Sequence, residues 1–529
     1  MGDGRARSAL RDKTPTEPCD HRLLWLAPEA LTACLRRLAG PVVLGLFITF
    51  SPCRTLADQP IPPTTPTPAP PSTPDPFDAF SRGDLATAER LLRDQAAAQP
   101  DNFVPHYNLA CILSINGDLA GAEESLGDAI ERGFIDRTQL RRDPSLANLR
   151  NTDFYARLDA SWPRILEANR DGNLRLTRDT FSKGYAESRD DALRLAYLNA
   201  FDERSFAVAQ GEIVRLARWA DEHVIPGLLD PAASIDDPWV VVVLPTRPDF
   251  TAWAVAAFGP AALGTTSQIG GSYEHDRKRL VSQDLGATLR HEFLHVLHWR
   301  DMTRRAQQHP IWIMEGLCSL PEDYDLSPTG DVRPVPSWRT NVAKRLERLG
   351  QLQPLEKLAA LPHARFTGSR PLANYAQART LFLHLHDRGK LRAWYEHYTA
   401  NFKSDPTGVQ SILAVLDTTL PDFNKAHRAW VRALPTVPEE IARGMASLGV
   451  EIDPGTGDGP VVVSIDRTRK PRPTLRPGDT ILSIDGQLTR DIAELVRVLG
   501  SYQPGAEATV EYRRGPRHAT TTITLIAKP

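Results

Sequence analysis

A short motif in the middle of the chain constrains the fold most strongly. It reads HEFLH at residues 291–295 and lies within an uninterrupted helical pattern. His291 and His295, four positions apart, lie one above the other on the same face of an α-helix. Both imidazoles can therefore reach one Zn²⁺ ion at about 2.0–2.1 Å. Glu292 lies further round the helix, too far to be a natural ligand, where it can accept a proton from a water bound to the metal.

A catalytic zinc ion needs a third protein ligand and one open coordination position. His298 shares the face of the histidine pair, but a residue seven positions along a straight helix lies about 10.5 Å away, so it cannot bind the same ion. Glu315 is a better candidate, because Pro310 can open a second helix that returns antiparallel to the first. Glu322, further along the chain, is a less favourable candidate.

The segment around Glu315 also carries a family resemblance. Residues 312–317 read WIMEGL, and this pattern resembles the W-x-x-E-G-L helix of gluzincin-type zinc metallopeptidases. The resemblance implies that His291, His295 and Glu315 are the zinc ligands and that Glu292 is the general base.

The region that follows is similar to the peptidase-MA-like family, which occurs with tetratricopeptide repeats in bacteria. The similarity rests on residues 355–358 (LEKL), 375–378 (YAQA), 381–385 and 394–395 (WY), and on Phe423 and Trp430. In this family the Y-A-x-A helix packs behind the zinc helices. The resemblance therefore allows two roles for Tyr375, as a donor to the oxyanion or as a buried core tyrosine. Cys318 stands where the family usually has Ala, and a small buried thiol fits that place.

The C-terminal region has a different pattern, with short strands and turns. Residues 475–486 read LRPGDTILSIDG, which resembles a distinctive block of bacterial PDZ domains. Such domains bind a peptide by strand addition and hold its carboxylate on backbone amides, here near residues 448–450. Pro473 and Thr474 replace the usual Ala-Gly before this block. Peptide binding and a purely structural role both remain open for this module.

A repeat precedes the metal motif. Residues 83–89 read GDLATAE and residues 117–123 read GDLAGAE, and their separation is the roughly 34-residue period of the tetratricopeptide repeat. Each copy is predicted to lie where one helix turns into the next, because Gly permits the turn and small alanines allow close packing. The repeats could bind proteins or could serve only as a packing adaptor.

The N-terminal residues are typical of an export signal followed by a spacer. Residues 38–50 are apolar and follow Arg36 and Arg37, but the run is shorter than the roughly 20 residues of a membrane span. It fits the apolar core of a signal peptide, and the long segment before it leaves an uncleaved anchor open. Residues 60–76 are rich in Pro and are predicted to be extended. The net charge of −2 gives no overall attraction to nucleic acid.

Together these patterns predict a multidomain α+β protein with an all-helical repeat region, a thermolysin-like mixed α+β zinc peptidase domain and a small β-rich PDZ domain. The predicted segments are a signal peptide or N-terminal anchor (1–57), a Pro-rich linker (58–76), TPR-like helical repeats (77–165), a helical connector (166–235), a zinc metallopeptidase-like domain (236–435) and a PDZ-like domain (436–529).

The sequence is interpreted as that of an exported zinc metallopeptidase of the periplasm or cell envelope, either released or attached to the membrane by its N-terminal segment. Protein or peptide substrates are expected, with further protein partners at the TPR and PDZ modules and no nucleic acid. One alternative is a non-catalytic TPR/PDZ scaffold with a zinc-binding, peptidase-like core. Another is a zinc hydrolase that acts on something other than peptides, because fold and zinc do not define a substrate.

Overall fold

The computed structural model describes residues 75–181, 184–260, 270–453, 457–465 and 474–529. The predicted signal segment, 1–57, and nearly all of the predicted linker, 58–76, lie outside these residues. Within the described parts, no helix combines the length and apolar character that a membrane crossing requires. The described chain divides into two compact units, residues 75–134 with 139–156, and residues 135–138 with 157–529.

The first part of the chain is helical, and its turns explain the sequence repeat. Gly83 and Gly117 adopt left-handed backbone conformations, with φ of 77° and 82°, which favour glycine. The next residue in each copy, Asp84 or Asp118, caps the following helix by accepting a hydrogen bond from a backbone N–H. The helices are α1 (Pro76–Ser81), α2 (Leu85–Ala98), α3 (Phe103–Asn116), α4 (Leu119–Glu131), α5 (Arg137–Arg142) and α6 (Asp153–Ala160).

A five-stranded mixed sheet lies in the second unit, in the order β1-β2-β3-β5-β4. The three inner strands are parallel, and the two edge strands run antiparallel to their neighbours. Every residue of β2 and β3 is buried, as expected for inner strands covered on both faces. The strands are β1 (Ala186–Asp190), β2 (Leu195–Asn199), β3 (Val240–Leu244), β4 (Gly271–Glu274) and β5 (Arg279–Ser282).

The structure differs from the predicted helical connector at residues 166–235. Strands β1 and β2 lie in this segment and belong to the same sheet as β3. The inner strand β2 reads LAYLN, an apolar run too short for periodicity to distinguish strand from helix. The edge strand β1 reads AESRD and is largely exposed, so no apolar alternation marks it. The sheet domain therefore begins well before residue 236.

The helices of the second unit surround a large apolar core. In chain order they are α7 (Trp162–Thr180), α8 (Glu203–His223), α9 (Pro231–Ser234), α10 (Arg247–Phe258), α11 (Ala287–Arg305), α12 (Ile311–Cys318), α13 (Trp338–Arg348), α14 (Leu355–Ala359), α15 (His363–Gly368), α16 (Pro371–Asp387), α17 (Leu391–Ala400), α18 (Val409–Leu416) and α19 (Leu420–Ala433). Two short strands, β6 (Tyr324–Leu326) and β7 (Val332–Pro334), form a hairpin after α12.

Helices α12 and α16 make a close contact in the core. The indole of Trp312 stacks on the ring of Phe382, with centroids 5.1 Å apart and planes at 12°. A Cβ atom on Gly316 would lie only 2.5 Å from that phenylalanine ring and 3.0 Å from the carbonyl oxygen of Ala378. Glycine in the sequence WIMEGL thus permits the two helices to approach.

The C-terminal segment forms a second sheet, in the order β14-β13-β11-β10-β9, with β12 paired to β11. A separate pair, β15 and β8, joins the two ends of the segment. The elements are β8 (Ala446–Ser447), β9 (Val450–Asp453), β10 (Val461–Ile465), β11 (Thr480–Ile484), β12 (Gln487–Leu488), α20 (Ile492–Gly500), β13 (Glu507–Arg514), β14 (Arg517–Thr524) and β15 (Ile526–Ala527). One face of α20 packs on the apolar core of this sheet.

Candidate metal centre

The predicted metal-binding motif lies on α11, a fully formed helix. Ala306 ends the helix in a left-handed conformation with φ of 52°, and α12 begins at Ile311 after a short loop. The chain therefore returns after the motif, which brings Glu315 to the histidine pair. His291 and Glu315 are fully buried, and His295 is 4% exposed.

One potential metal-binding atom from each of the three predicted ligands lies close to the other two. The Nε2 atoms of His291 and His295 are 3.1 Å apart. Glu315 Oε2 lies 3.2 Å from Nε2 of His291 and 3.5 Å from Nε2 of His295. A tetrahedral zinc site with bonds near 2.0–2.1 Å has ligand-to-ligand edges of about 3.4 Å. In the part of the chain that the structure describes, this is the one group of His, Cys, Asp or Glu side chains with metal-binding geometry.

Glu292 is oriented by the edge strand of the five-stranded sheet. Its Oε2 accepts a hydrogen bond of 2.8 Å from the backbone N–H of Tyr273 on β4. Its Oε1 is buried and has no hydrogen-bond partner among the described residues. Burial raises the pKa of Glu292, and the charge of Glu315 adds to that effect, although His291 and His295 oppose it. One carboxylate oxygen is thus held in place and the other is available to a ligand.

A carboxylate orients the first histidine. Glu322, in the turn after α12, has Oε1 2.8 Å from Nδ1 of His291, so the Nδ1–H of a metal-binding tautomer can donate to it. Burial lowers the pKa of His291, but hydrogen bonds to Glu315 and Glu322 outweigh it and raise that pKa to about 10. A metal ion would therefore compete with a proton for this imidazole.

Glu322 is itself held by a buried arginine. Arg339 on α13 donates to both carboxylate oxygens of Glu322, and the Nη2–Oε1 distance is 3.0 Å. Burial raises the pKa of Glu322, yet the charge of Arg339 and the hydrogen bond to His291 bring it down to about 2. Glu322 is therefore a fixed anion behind His291, outside the group of three converging side chains.

The second histidine has a different partner. Cys318 Sγ lies 3.2 Å from Nδ1 of His295. Burial raises the pKa of the Cys318 thiol well above its usual value, and the nearby carboxylates of Glu315 and Glu292 add to this. The residue is thus a neutral thiol in contact with the outer nitrogen of His295, in the small buried position that the sequence indicated.

Tyr375 lies on α16 beside Glu315, the third predicted ligand. Its side chain is 2% exposed, its ring lies 5.3 Å from that of Phe366, and the guanidinium of Arg339 lies 5.6 Å from its ring centroid. Burial raises the pKa of Tyr375 strongly, and the charge of Glu315 and a hydrogen bond to it act in the same direction. The structure thus brings Tyr375 to the site while burying its ring in the core.

Two residues next to this group have contacts that the sequence did not predict, Glu322 and Arg339. The sequence suggested Glu322 only as a less favourable ligand. In the structure it contacts His291 instead, and this contact depends on the tight turn after α12, which carries no sequence motif. Arg339 comes from a helix with no recognised pattern. His298, by contrast, does not join the group, because it is buried on another side, with Nε2 2.8 Å from Nδ1 of His309.

Comparisons with known proteins identify the C-terminal module. The family model of the PDZ domain matches residues 446–525, so this segment is a PDZ domain, as its sequence block predicted. No curated protein matches the chain.

Two solved structures are similar to parts of the chain. One is an HtrA-type protease with a decapeptide, 27% identical over 16% of this chain and 30% of that chain, with a TM-score of 0.14. The other is an aminopeptidase N family protein from Idiomarina loihiensis, 12% identical over 65% of this chain and 67% of that chain, with a TM-score of 0.27. The chain thus spans less than a third of the first of these proteins.

Proposed function

We propose that this protein is a zinc-dependent metallopeptidase that hydrolyses peptide bonds, with His291, His295 and Glu315 as ligands and Glu292 as general base. The convergence of three buried ligand atoms at distances of 3.1–3.5 Å carries the proposal. The unpartnered buried oxygen of Glu292 supports the same conclusion, because a buried carboxylate oxygen without a partner is costly unless a ligand satisfies it.

In the proposed reaction a bound zinc ion would activate the substrate and the water, and Glu292 would transfer the proton. A bound zinc ion would polarise the scissile carbonyl and make its water a better nucleophile near neutral pH. Glu292 Oε1 would accept a proton from the attacking water as the oxygen of that water bonds to the carbonyl carbon. The same carboxyl group then gives the proton to the leaving amine as the C–N bond breaks.

Tyr375 and Glu322 have supporting roles in the proposed reaction. The hydroxyl of Tyr375, beside Glu315, is proposed to donate a hydrogen bond to the carbonyl oxygen as negative charge develops there. A structural role, in which the hydroxyl only holds Glu315, is the alternative. Glu322 keeps His291 in the tautomer whose Nε2 lone pair faces the side chains of His295 and Glu315.

We propose that the substrate binds as an extended peptide. Strand β4 is the edge of its sheet, and its Tyr273 N–H holds Glu292. A substrate that aligned with this edge by strand addition would pass the general base. The PDZ domain supports a peptide or protein as partner or substrate tail, and the helical repeats are proposed to bind a protein as well.

Export of the enzyme is proposed on sequence grounds. The apolar run at residues 38–50 and the Pro-rich spacer after it would place the folded part in the periplasm or cell envelope, either released or attached at the N-terminus.

The decisive experiment combines metal content with proteolysis of an unfolded protein substrate. Wild-type protein is expected to bind about one zinc ion and to cleave, and Glu292→Gln should keep the zinc while losing at least about 10²-fold in rate. His295→Ala, a matched change of a ligand, should lose both. Unchanged turnover in Glu292→Gln would place the base elsewhere. Zinc binding without turnover of any peptide in the wild type would favour the scaffold alternative.

A further inference from the structure

A buried charge cluster joins the PDZ domain to the helix that carries the metal motif. Arg290, directly before His291, is 1% exposed. Its guanidinium donates to Glu494 Oε1 on the PDZ helix α20 at 2.9 Å and to Glu212 Oε1 on α8 at 3.1 Å. A buried guanidinium needs such partners, because an uncompensated charge in the interior is strongly unfavourable.

The same guanidinium holds the backbone of the turn that carries Glu322. Arg290 donates from Nε to the carbonyl oxygen of Pro321 at 2.9 Å and from Nη2 to that of Glu322 at 2.6 Å. The carboxylate of Glu322 then contacts Nδ1 of His291 at 2.8 Å. A path of contacts thus runs from Glu494 through the guanidinium of Arg290 to the backbone carbonyl of Glu322, and from there through the Glu322 side chain to a predicted metal ligand.

A second arginine fixes α20 against the start of α11. Arg490, two residues before α20, donates to the carbonyl oxygen of Leu285 and forms an ion pair with Glu212. A Cβ atom on Gly286 would lie 3.1 Å from the Cβ of Arg490, so the backbone before α11 and the PDZ domain are in close contact. The two domains therefore share one buried network rather than a solvated boundary.

A simpler role for Glu494 would be to cap α20. Its Oε2 does accept a hydrogen bond from the backbone N–H of Arg490 at 2.8 Å, and acidic residues stabilise the first turn of a helix. Capping, however, uses only this one oxygen. The other oxygen is directed across the domain boundary to Arg290, which capping does not require.

We propose that Arg290 and Glu494 are positioning residues of the metal centre, through which the PDZ domain holds Glu322 against His291. This inference rests on the proposed function, because it requires that the His291 group binds metal. The PDZ domain is then a structural part of the peptidase site in addition to any peptide that it binds.

The first test uses Glu494→Gln in the full chain, a change that keeps the size of the side chain and removes its charge. The readouts are the rate of zinc release to a chelator and the visible spectrum of the Co²⁺-substituted protein. Loss of a residue that orients a metal ligand typically costs 10–100-fold in affinity. Glu494 acts on such a residue, Glu322, only through Arg290, so we expect a smaller effect, roughly threefold to tenfold faster zinc release. The Co²⁺ spectrum should change with it.

His518→Gln is the matched control. His518 contacts Asp202 at 2.9 Å, at another contact between the PDZ domain and α8, and has no hydrogen-bonded path to Glu322 in the described residues. This variant removes a contact at the same domain boundary and should release zinc at the wild-type rate. Equal release from wild type, Glu494→Gln and His518→Gln would overturn the inference while leaving the proposed function intact. Equal acceleration in both variants would also overturn it, since the effect would then be general loosening.

A second measurement uses wild-type protein and does not depend on a variant that folds. Coupling between two sites is reciprocal in free energy, so zinc should slow amide hydrogen exchange in residues 492–500 by roughly threefold to tenfold, under conditions in which exchange reports the opening equilibrium. His295→Ala, which lacks a ligand, should show no such response to zinc. Exchange in α20 that does not respond to zinc in the wild type would contradict the proposal. A wild-type protein that takes up no metal would overturn the proposed function together with this inference.

Discussion

Gly316→Ala should weaken the fold because it forces α12 away from α16. The new Cβ would lie 2.5 Å from the Phe382 ring and 3.0 Å from the Ala378 carbonyl oxygen, whereas carbon atoms in optimal contact are about 3.5–4.0 Å apart. The helices must therefore separate by about 1 Å, and overpacking of this kind costs roughly 1–3 kcal/mol. Alanine recovers about 1 kcal/mol of helix propensity, which leaves a net loss of up to about 2 kcal/mol.

The same displacement reaches the proposed metal site, because Glu315 precedes Gly316 and Tyr375 lies on α16. We expect Gly316→Ala to lower the denaturant midpoint and to bind zinc more weakly, measured by chemical unfolding and by chelator competition.

Gly211→Ala on α8 is the matched control, since a Cβ there meets no atom within 4 Å. It should stabilise the protein by about 0.5–1 kcal/mol and leave zinc affinity unchanged. A Gly316→Ala protein as stable as Gly211→Ala would show that the contact between α12 and α16 tolerates a side chain at residue 316.

Two further predictions concern the partner of His291 and the N-terminal segment. Glu322→Ala removes the carboxylate that contacts the buried guanidinium of Arg339. The free energy of unfolding, measured by denaturant titration, should therefore fall by roughly 3–5 kcal/mol. The control is Glu347→Ala, whose partner Arg432 is half-exposed, and this variant should cost about 1 kcal/mol or less. A reporter fused after Pro76 should be active outside the cytoplasm, and activity confined to the cytoplasm would contradict export. If it is exported, a mature chain that starts near Asp58 indicates a cleaved signal, and a full-length chain in the membrane fraction indicates an anchor.

The parts of the site that could be predicted are those in which spacing along one helix determines geometry. The interval between His291 and His295 places both imidazoles on one face, and a returning helix was enough to bring in Glu315. The contact between Glu322 and His291 could not be predicted, because it depends on the tight turn after α12 and on Arg339 from a separate helix. The contact of Arg290 with Glu494 joins residues 204 positions apart, and no local pattern marks either of them.

The fold was predictable to a similar degree. Strand β3, with its continuous run of valine, and the PDZ block were clear from sequence, and the Gly-Asp turns of the repeat agree with the observed helix ends. Strands β1 and β2 were not predictable, since an exposed polar edge strand has no apolar alternation and a short buried strand resembles part of a helix. The extent of the sheet domain depends on these two strands.

The two histidines of the proposed metal group have unequal hydrogen-bond partners, and this difference has a physical consequence. His291 contacts a carboxylate that Arg339 keeps ionised, so its Nδ1–H is bound by a charge-assisted hydrogen bond. His295 contacts a neutral thiol, which is a weak acceptor. A carboxylate partner raises the basicity of an imidazole and fixes its ring more firmly than a thiol does. In the proposed metal group His291 is therefore the more firmly held of the two histidines, and we expect any influence of the PDZ domain on a bound metal ion to be exerted there.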